Sequence, residues 1–203
     1  MSAALALLVS YLLGAVPTSY LVGRVFRGID LREHGSKNLG ATNLYRTLGW
    51  KFAVPVGLFD IAKGAIPVLV FAPAVSASRL FALACGGAAV LGHVFSVFVR
   101  FRGGKGVATA AGVVAGLAPV AVGIAALVWI AVVFGTGYVS LGSISAAAVL
   151  PIAVLLVRPG DWQLFAGVAA IAAAVVYLHR ANIRRLAAGT ENRFGRRRAA
   201  PGP

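Results

Sequence analysis

The chain has 203 residues, 60% of them apolar and only 12% charged, with a mean hydropathy of +0.89. Soluble domains carry roughly half apolar and a quarter charged residues, so this composition excludes a water-soluble fold and indicates a multispanning membrane protein. Nineteen Lys and Arg against five Asp and Glu give a formal net charge of +14. In a soluble chain that charge would point to nucleic acid. Here the basic residues sit in short loops beside apolar runs, where they set orientation and attract anionic lipid or substrate, so the lipid bilayer is the expected partner and nucleic acid is not.

A bilayer span needs about 20 apolar residues. The first run, Ser2 to Gly23, has no Lys or Arg before Arg24, and it reads as a retained span with an outside N-terminus, not as a removable signal peptide. Five more follow: Phe52 to Phe71, Leu80 to Val99, Val107 to Phe134, Val139 to Val157 and Trp162 to Leu178. The single cysteine, Cys85, lies inside the third run, which rules out a disulfide framework and a Cys-based metal site. The fourth run is too long for one span and is interrupted by Gly116 and Pro119, so it is either one tilted helix or a hairpin of two short ones. Charge decides. Segments 24–51, 100–105 and 180–198 hold six, three and seven Lys or Arg, whereas 72–79 and 158–161 hold only Arg79 and Arg158. Starting outside, only an odd number of spans brings the basic C-terminal segment to the inner side. The expected fold is therefore an all-α integral membrane protein of about seven transmembrane helices. Its N-terminus is outside, its C-terminus cytoplasmic, and a short-helix hairpin occupies 107–134. One catalytic domain covers 1–192, followed by a basic, disordered tail over 193–203.

Three polar segments carry the candidate chemistry. In FRGGKGVAT, from Phe101 to Thr109, Gly103, Gly104 and Gly106 allow backbone N–H groups to approach an anion, Lys105 adds a point charge, and the next helix offers its positive end. The nucleotide-binding P-loop does not fit, because it needs a glycine five residues before the Gly-Lys pair and a Ser or Thr after it. The second segment, HGSKNLGATNLYRTLG from His34 to Gly49, combines amides and hydroxyls with Lys37 and Arg46, a composition suited to an oxyanion. The third, HRANIRRLAAGTE from His179 to Glu191, brings His179, Asn182 and Arg185. Each alone fits a turn, a cap or a headgroup contact; three on one membrane face point to an anionic substrate.

Together these segments resemble the bacterial acyl-phosphate:glycerol-3-phosphate acyltransferase family. The resemblance rests on GSKNLGATN with Arg46 and Gly49, on DIAKG from Asp60 to Gly64, on GHVFSVFVRFRGGKGVAT from Gly92 to Thr109, and on His179, Asn182, Arg185, Leu186, Gly189 and Glu191. One departure is Ser96, where the family usually has proline, which puts the local helix kink in doubt. The resemblance implies that Ser36 and Arg46 are needed for activity, that Gly103 to Gly106 bind glycerol 3-phosphate, that His179 and Asn182 support catalysis and that Glu191 is structural. It also implies an enzyme of the bacterial plasma (inner) membrane, with its active site on the cytoplasmic face. Such an enzyme makes lysophosphatidate from acyl phosphate and glycerol 3-phosphate, the first acylation of phospholipid synthesis.

The residues suit that chemistry. An acyl phosphate is already activated, so the protein must align a hydroxyl with the acyl carbonyl and stabilise charge on the departing phosphate. Arg46 and Lys105 are expected to neutralise phosphate. Ser36, Asn38 and Asn182 are expected to supply orienting hydrogen bonds, and Asn43 and Thr109 to join Asn38 in binding substrate. The general base is either His179, with an unperturbed pKa of about 6.5, or a substrate phosphate. Lys37, Asp60, Lys63, His93 and Arg185 are further candidates; Asp60 and Lys63 share a helix face as a structural or functional pair, and His93, read as two turns inside its helix, is a core histidine or a substrate contact. The scattered His and acidic residues show no metal-ligand spacing, so no metal, no cofactor and no obligate protein partner is expected. The rival reading is a transporter or channel for a phosphorylated anion, which would place charge along a path across the bilayer and show inverted repeats.

Overall fold

In the computed structural model, which describes residues 1–194, the chain forms ten α-helices and no strand among the described residues. Ser2 caps the first helix, α1 (Ala3–Ala15), its side chain accepting from the Leu5 N–H at 3.3 Å. The first apolar run does not stay one helix. Pro17 has no N–H and disfavours helical backbone at the residue before it, so Val16 turns to φ −54°, ψ 112° and α2 (Thr18–Arg27) starts anew. The inner loop is more ordered than a polar linker. It contains a short amphipathic helix, α3 (Ala41–Leu48), and Asp30 closes its entrance through ion pairs to Arg24 at 3.0 Å and Arg32 at 2.6 Å.

The remaining helices are α4 (Trp50–Ile66), which continues as a π-helical turn over Pro67–Phe71, α5 (Arg79–Val94), α6 (Val107–Leu117), α7 (Pro119–Thr136), α8 (Val139–Val157), α9 (Trp162–Leu178) and α10 (Arg180–Ala187). Among the described residues, five helices are long and apolar enough to cross a bilayer, counting α1 with α2. A sixth comes from α9 with α10, which bend by 54° at His179. At 11 residues, or ~16 Å, α6 is shorter than the bilayer core.

Close contacts give each helix its direction. Small residues let α1 lie beside α5 in parallel, Gly14 against the Ala89 backbone and Gly92 against Tyr11 and Ala15. In the same way α6 runs parallel to α4, with Gly64 against Thr109, Gly112 against Ile61 and Ala65, and Gly116 against Val68 and Leu69. α5 runs opposite to both, since Gly86 meets Val68 and Val113 while Gly106 lies on Val90. The ion pair of Arg79 with Asp161 puts the starts of α5 and α9 at one end, where Leu83, Val114, Ala121, Val154 and Leu164 share a core. At the other end the Phe194 N–H donates to the Gly137 carbonyl at 2.6 Å, joining the α7–α8 turn to the C-terminal segment. Thus α6 runs away from this second end and α7 returns to it. The long fourth run folds as the expected hairpin, broken at Ala118 and extended to Thr136, with arms of unequal length.

Two boundaries differ from the sequence reading. α5 ends at Val94, not Val99, so His93 sits in its last turn. Ser96 produces the break without a proline: its hydroxyl donates to the Ala15 carbonyl at 2.5 Å and its own carbonyl accepts from Phe101 at 2.8 Å, leaving a short 3₁₀ turn over Val97–Val99. At the start of the basic tail, Arg193 lies 5.0 Å over the Tyr138 ring and Phe194 stacks on Tyr45, so these two residues are packed. Residues 195–203 of that tail lie outside the described residues.

Candidate active site

The glycine loop leaves the end of α5 and folds straight back onto it. Gly103 donates its N–H to the Val94 carbonyl at 3.0 Å and Gly104 donates to the His93 carbonyl at 3.1 Å. These two donors, expected to face an anion, are therefore already used. What the glycines supply is space, because a Cβ on Gly103 would meet the His93 carbonyl and one on Gly104 would meet the His93 ring. Gly106 has a different reason, its φ of +73°, and it caps α6. The open backbone donors lie one step further on. The N–H groups of Val107, Ala108 and Thr109 form the first turn of α6 and have no partner among the described residues.

Lys105 stands beside that turn and donates to Asn182 Oδ1. Asn182 Nδ2 donates to Glu191 Oε1 at 2.8 Å, Ser140 Oγ donates to the same oxygen at 3.0 Å, and Arg185 Nε donates to Oε2 at 2.7 Å. Burial alone would raise the Glu191 carboxyl, but these three hydrogen bonds outweigh it and hold the group below the usual carboxylate range. Glu191 is the knot of the cluster. Lys105 is pushed down to about 8, chiefly by burial, with Glu191 opposing and the Arg185 and Arg46 charges adding to the drop. Arg46 is lowered mainly by burial; its Nη2 reaches the Asn192 carbonyl at 3.4 Å, and its buried Nε has no partner among the described residues. Among the described residues three cations thus share one carboxylate, an excess of positive charge.

His179 occupies the bend between α9 and α10, 3% exposed. Its Nδ1 lies 2.8 Å from the Val175 carbonyl. A carbonyl can only accept, so Nδ1 carries the proton and Nε2 keeps its lone pair.

The residues of the first motif divide. Asn43, expected to touch substrate, is 1% exposed and fully engaged in its own loop: it accepts from the Ser36 N–H at 2.7 Å and donates to the carbonyls of Leu31, His34 and Asn38 at 3.0 to 3.1 Å. It braces the loop against α3, which carries Arg46 one turn later. Ser36 and Asn38 are half-buried, with no side-chain hydrogen bond among the described residues, and Lys37 is exposed at φ +58°. Thr109 is fully buried, with its backbone against Gly64, and its Oγ1 has no partner among the described residues. Asp60 and Lys63 lie inside the helices. Lys63 Nζ is 2.8 Å from Asp60 Oδ1 and donates to the Val16 carbonyl at 2.9 Å, the acceptor freed by the Pro17 break. Two contributors went unnoticed in the sequence. Ser140 is a lone hydroxyl opening an apolar run, and Phe194, in a basic tail, stacks on Tyr45 at 4.8 Å between ring centroids.

The sequence profile described as Glycerol-3-phosphate acyltransferase matches residues 4–189. The chain belongs to the glycerol-3-phosphate acyltransferase family. A glycerol-3-phosphate acyltransferase of Desulforudis audaxviator is 51% identical over 93% of this chain and 94% of the relative, and one of Trichlorobacter lovleyi is 50% identical over 91% and 94%. Two crystal structures of PlsY, an integral membrane glycerol 3-phosphate acyltransferase, superpose closely. Its glycerol 3-phosphate form gives a TM-score of 0.89 at 39% identity, covering 95% of this chain and 96% of that one, and its lysophosphatidic acid form gives 0.86 at 38%. As a member of this glycerol-3-phosphate acyltransferase family, the protein is a multi-pass membrane acyltransferase.

Proposed function

We propose that the protein transfers an acyl group from acyl phosphate to the 1-hydroxyl of glycerol 3-phosphate, giving lysophosphatidate and inorganic phosphate. The observation that carries this reading is the cluster of Lys105, Arg46 and Arg185 around the single carboxylate of Glu191, set beside the open first turn of α6. Such a cluster suits phosphate groups. The two structural relatives bear the names of a substrate form and a product form of the same chemistry.

In this reading Lys105, Arg46 and the α6 N-terminus hold the phosphates, while Ser36, Asn38 and Asn182 orient them. The glycerol oxygen attacks the acyl carbonyl carbon, the new C–O bond forms, and the bond from that carbon to the phosphate oxygen breaks with its electron pair leaving on phosphate. His179 accepts a hydrogen bond from the attacking hydroxyl through Nε2. In this reading the departing phosphate takes the proton. No acyl-enzyme forms. Phosphate release from acyl phosphate that depends on added glycerol 3-phosphate tests the reading; its absence from folded, purified protein would favour a transporter of phosphorylated anions. An acyl adduct on Ser36, trapped with donor alone and seen by intact mass, would overturn direct attack.

The same reading puts this end of the bundle in the cytoplasm, with seven membrane passes. A cysteine at Gly135, where a side chain meets nothing within 4 Å, in a Cys85→Ala background should be labelled only from the cytoplasmic side. Labelling from outside alone would reject the seven-pass orientation.

A further inference from the structure

Asp60, Lys63 and His93 lie close together inside the helices, yet they do not share one task. Lys63 is divided between Asp60 Oδ1 and the Val16 carbonyl, and the Thr18 hydroxyl reaches the same Asp60 oxygen at 3.5 Å, so this pair closes the α1–α2 break. His93 is left over. Its Nδ1 is buried 3.9 Å from Asp60 Oδ1, beyond hydrogen-bond reach, and has no partner among the described residues. The other edge of the ring fills the space beside Gly104: a Cβ there would collide with Nε2 and come within 3.1 and 3.2 Å of Cδ2 and Cε1. The carbonyl of the same residue takes the Gly104 N–H.

We propose that His93 is a positioning residue for the acyl transfer: its imidazole is the seat on which Gly104 rests, and through Gly104 it sets where Lys105 and the first turn of α6 stand. The inference rests on the reading that this loop holds a substrate phosphate, and it gives the three glycines separable roles. At Gly103 the obstacles to a side chain are the backbone oxygens of His93 and Val94. At Gly106 the obstacle is the left-handed backbone. At Gly104 the backbone is not left-handed, and the three nearest atoms in the way all belong to the His93 ring. Removing that ring should therefore make room for a side chain at Gly104 and at neither of the other glycines.

The test is a double-mutant cycle on full-length protein in detergent, with kcat and KM for glycerol 3-phosphate and the melting temperature recorded for each variant. Gly104→Ala should raise KM about ten- to a hundredfold, the range for displacing a charge-assisted contact. Adding His93→Ala should bring KM back to within about threefold of His93→Ala alone, while Gly103→Ala and Gly106→Ala should be as damaging with His93 absent as with it present. An equal penalty for Gly104→Ala in both backgrounds would overturn the proposal and return Gly104 to direct contact with the ligand. Should His93→Ala not fold, His93→Asn, which also withdraws the ring from Gly104, takes its place in the cycle. If wild-type protein shows no glycerol 3-phosphate-dependent phosphate release, the catalytic reading fails instead. The melting temperatures then still decide whether Gly104 is seated on His93, since the loss caused by Gly104→Ala must shrink when the ring is gone.

Discussion

Lys63 and Lys105 are both buried ammonium groups, and the difference between their surroundings separates structure from chemistry. Lys63, 1% exposed, has one carboxylate and one freed backbone carbonyl within 2.9 Å, so its charge is answered inside the helices. Lys105 donates to a neutral amide oxygen and shares Glu191 with Arg46 and Arg185. A balanced pair inside apolar helices holds a break closed. An unbalanced cluster at a helix N-terminus is suited to an anion. The glycine loop folds back on Val94 and His93, and His93 lies 3.9 Å from Asp60.

The largest test of this contrast is to unbalance the deep pair. Asp60→Asn leaves Lys63 buried without its counter-charge and should cost about 3–5 kcal/mol of stability, read as a large fall in melting temperature. Asp60→Asn combined with Lys63→Met should recover most of the loss and keep glycerol 3-phosphate-dependent activity. A double variant that folds as wild type but is inactive would move Asp60 and Lys63 from the scaffold into the chemistry.

The complementary change removes the unbalanced charge. Lys105→Ala should lower kcat/KM by roughly one to two decades, the equivalent of a charge-assisted contact of about 1.5–3 kcal/mol, with little change in melting temperature. Lys105→Arg should recover part of it, since a planar guanidinium fits poorly beside Gly104 and Gly106. Wild-type constants in Lys105→Ala would reduce the loop to an interfacial turn.

A smaller effect follows from the depressed pKa of Lys105. The group is charged below about 8 and neutral above it, so phosphate affinity should fall as pH rises through that value, by at most about tenfold per unit. Bound phosphate moves the limb upward by favouring the ammonium, so KM should respond at lower pH than kcat. In Lys105→Arg the limb should vanish, because a guanidinium stays charged. A limb of unchanged position in that variant would assign it to another group.

Much of this was legible in the sequence, and the failures have physical causes. Composition and charge placement gave the helical membrane fold and the hairpin at Gly116 and Pro119, because apolar length and Lys/Arg position are one-dimensional signals. Lys105, Asn182, Arg185 and Glu191 were legible as one polar end for the same reason. What the letters could not show was where N–H groups point. Gly103 and Gly104 look identical to an anion cradle and to a tight packing contact, and only the positions of Val94 and His93 distinguish them. Asn43 was misjudged likewise, since its amide is spent on carbonyls of a loop whose path no periodicity records. Pro17 was visible, but its break lay within a run of otherwise sufficient apolar length.

The smallest effect concerns the strap that borders the cation cluster. Phe194 stacks on Tyr45 with the rings 12° from parallel, its N–H holds the Gly137 carbonyl, and Asn192 offers its carbonyl to Arg46. Tyr45 precedes Arg46 on α3, so the stack and the Asn192 contact together tie the Arg46 guanidinium to the α7–α8 turn. Phe194→Ala removes the ring while leaving the backbone bond possible, and an aromatic pair contributes about 0.5–1.5 kcal/mol beyond its buried area. Melting temperature should fall by a few degrees. KM for the phosphate-bearing substrates should rise about two- to tenfold, the same energy read through Arg46, with kcat nearly unchanged. Phe194→Tyr should behave as wild type. If Phe194→Ala lowers the melting temperature but leaves KM alone, the strap stabilises the bundle end without placing Arg46, and the cluster's geometry is then fixed by Glu191 by itself.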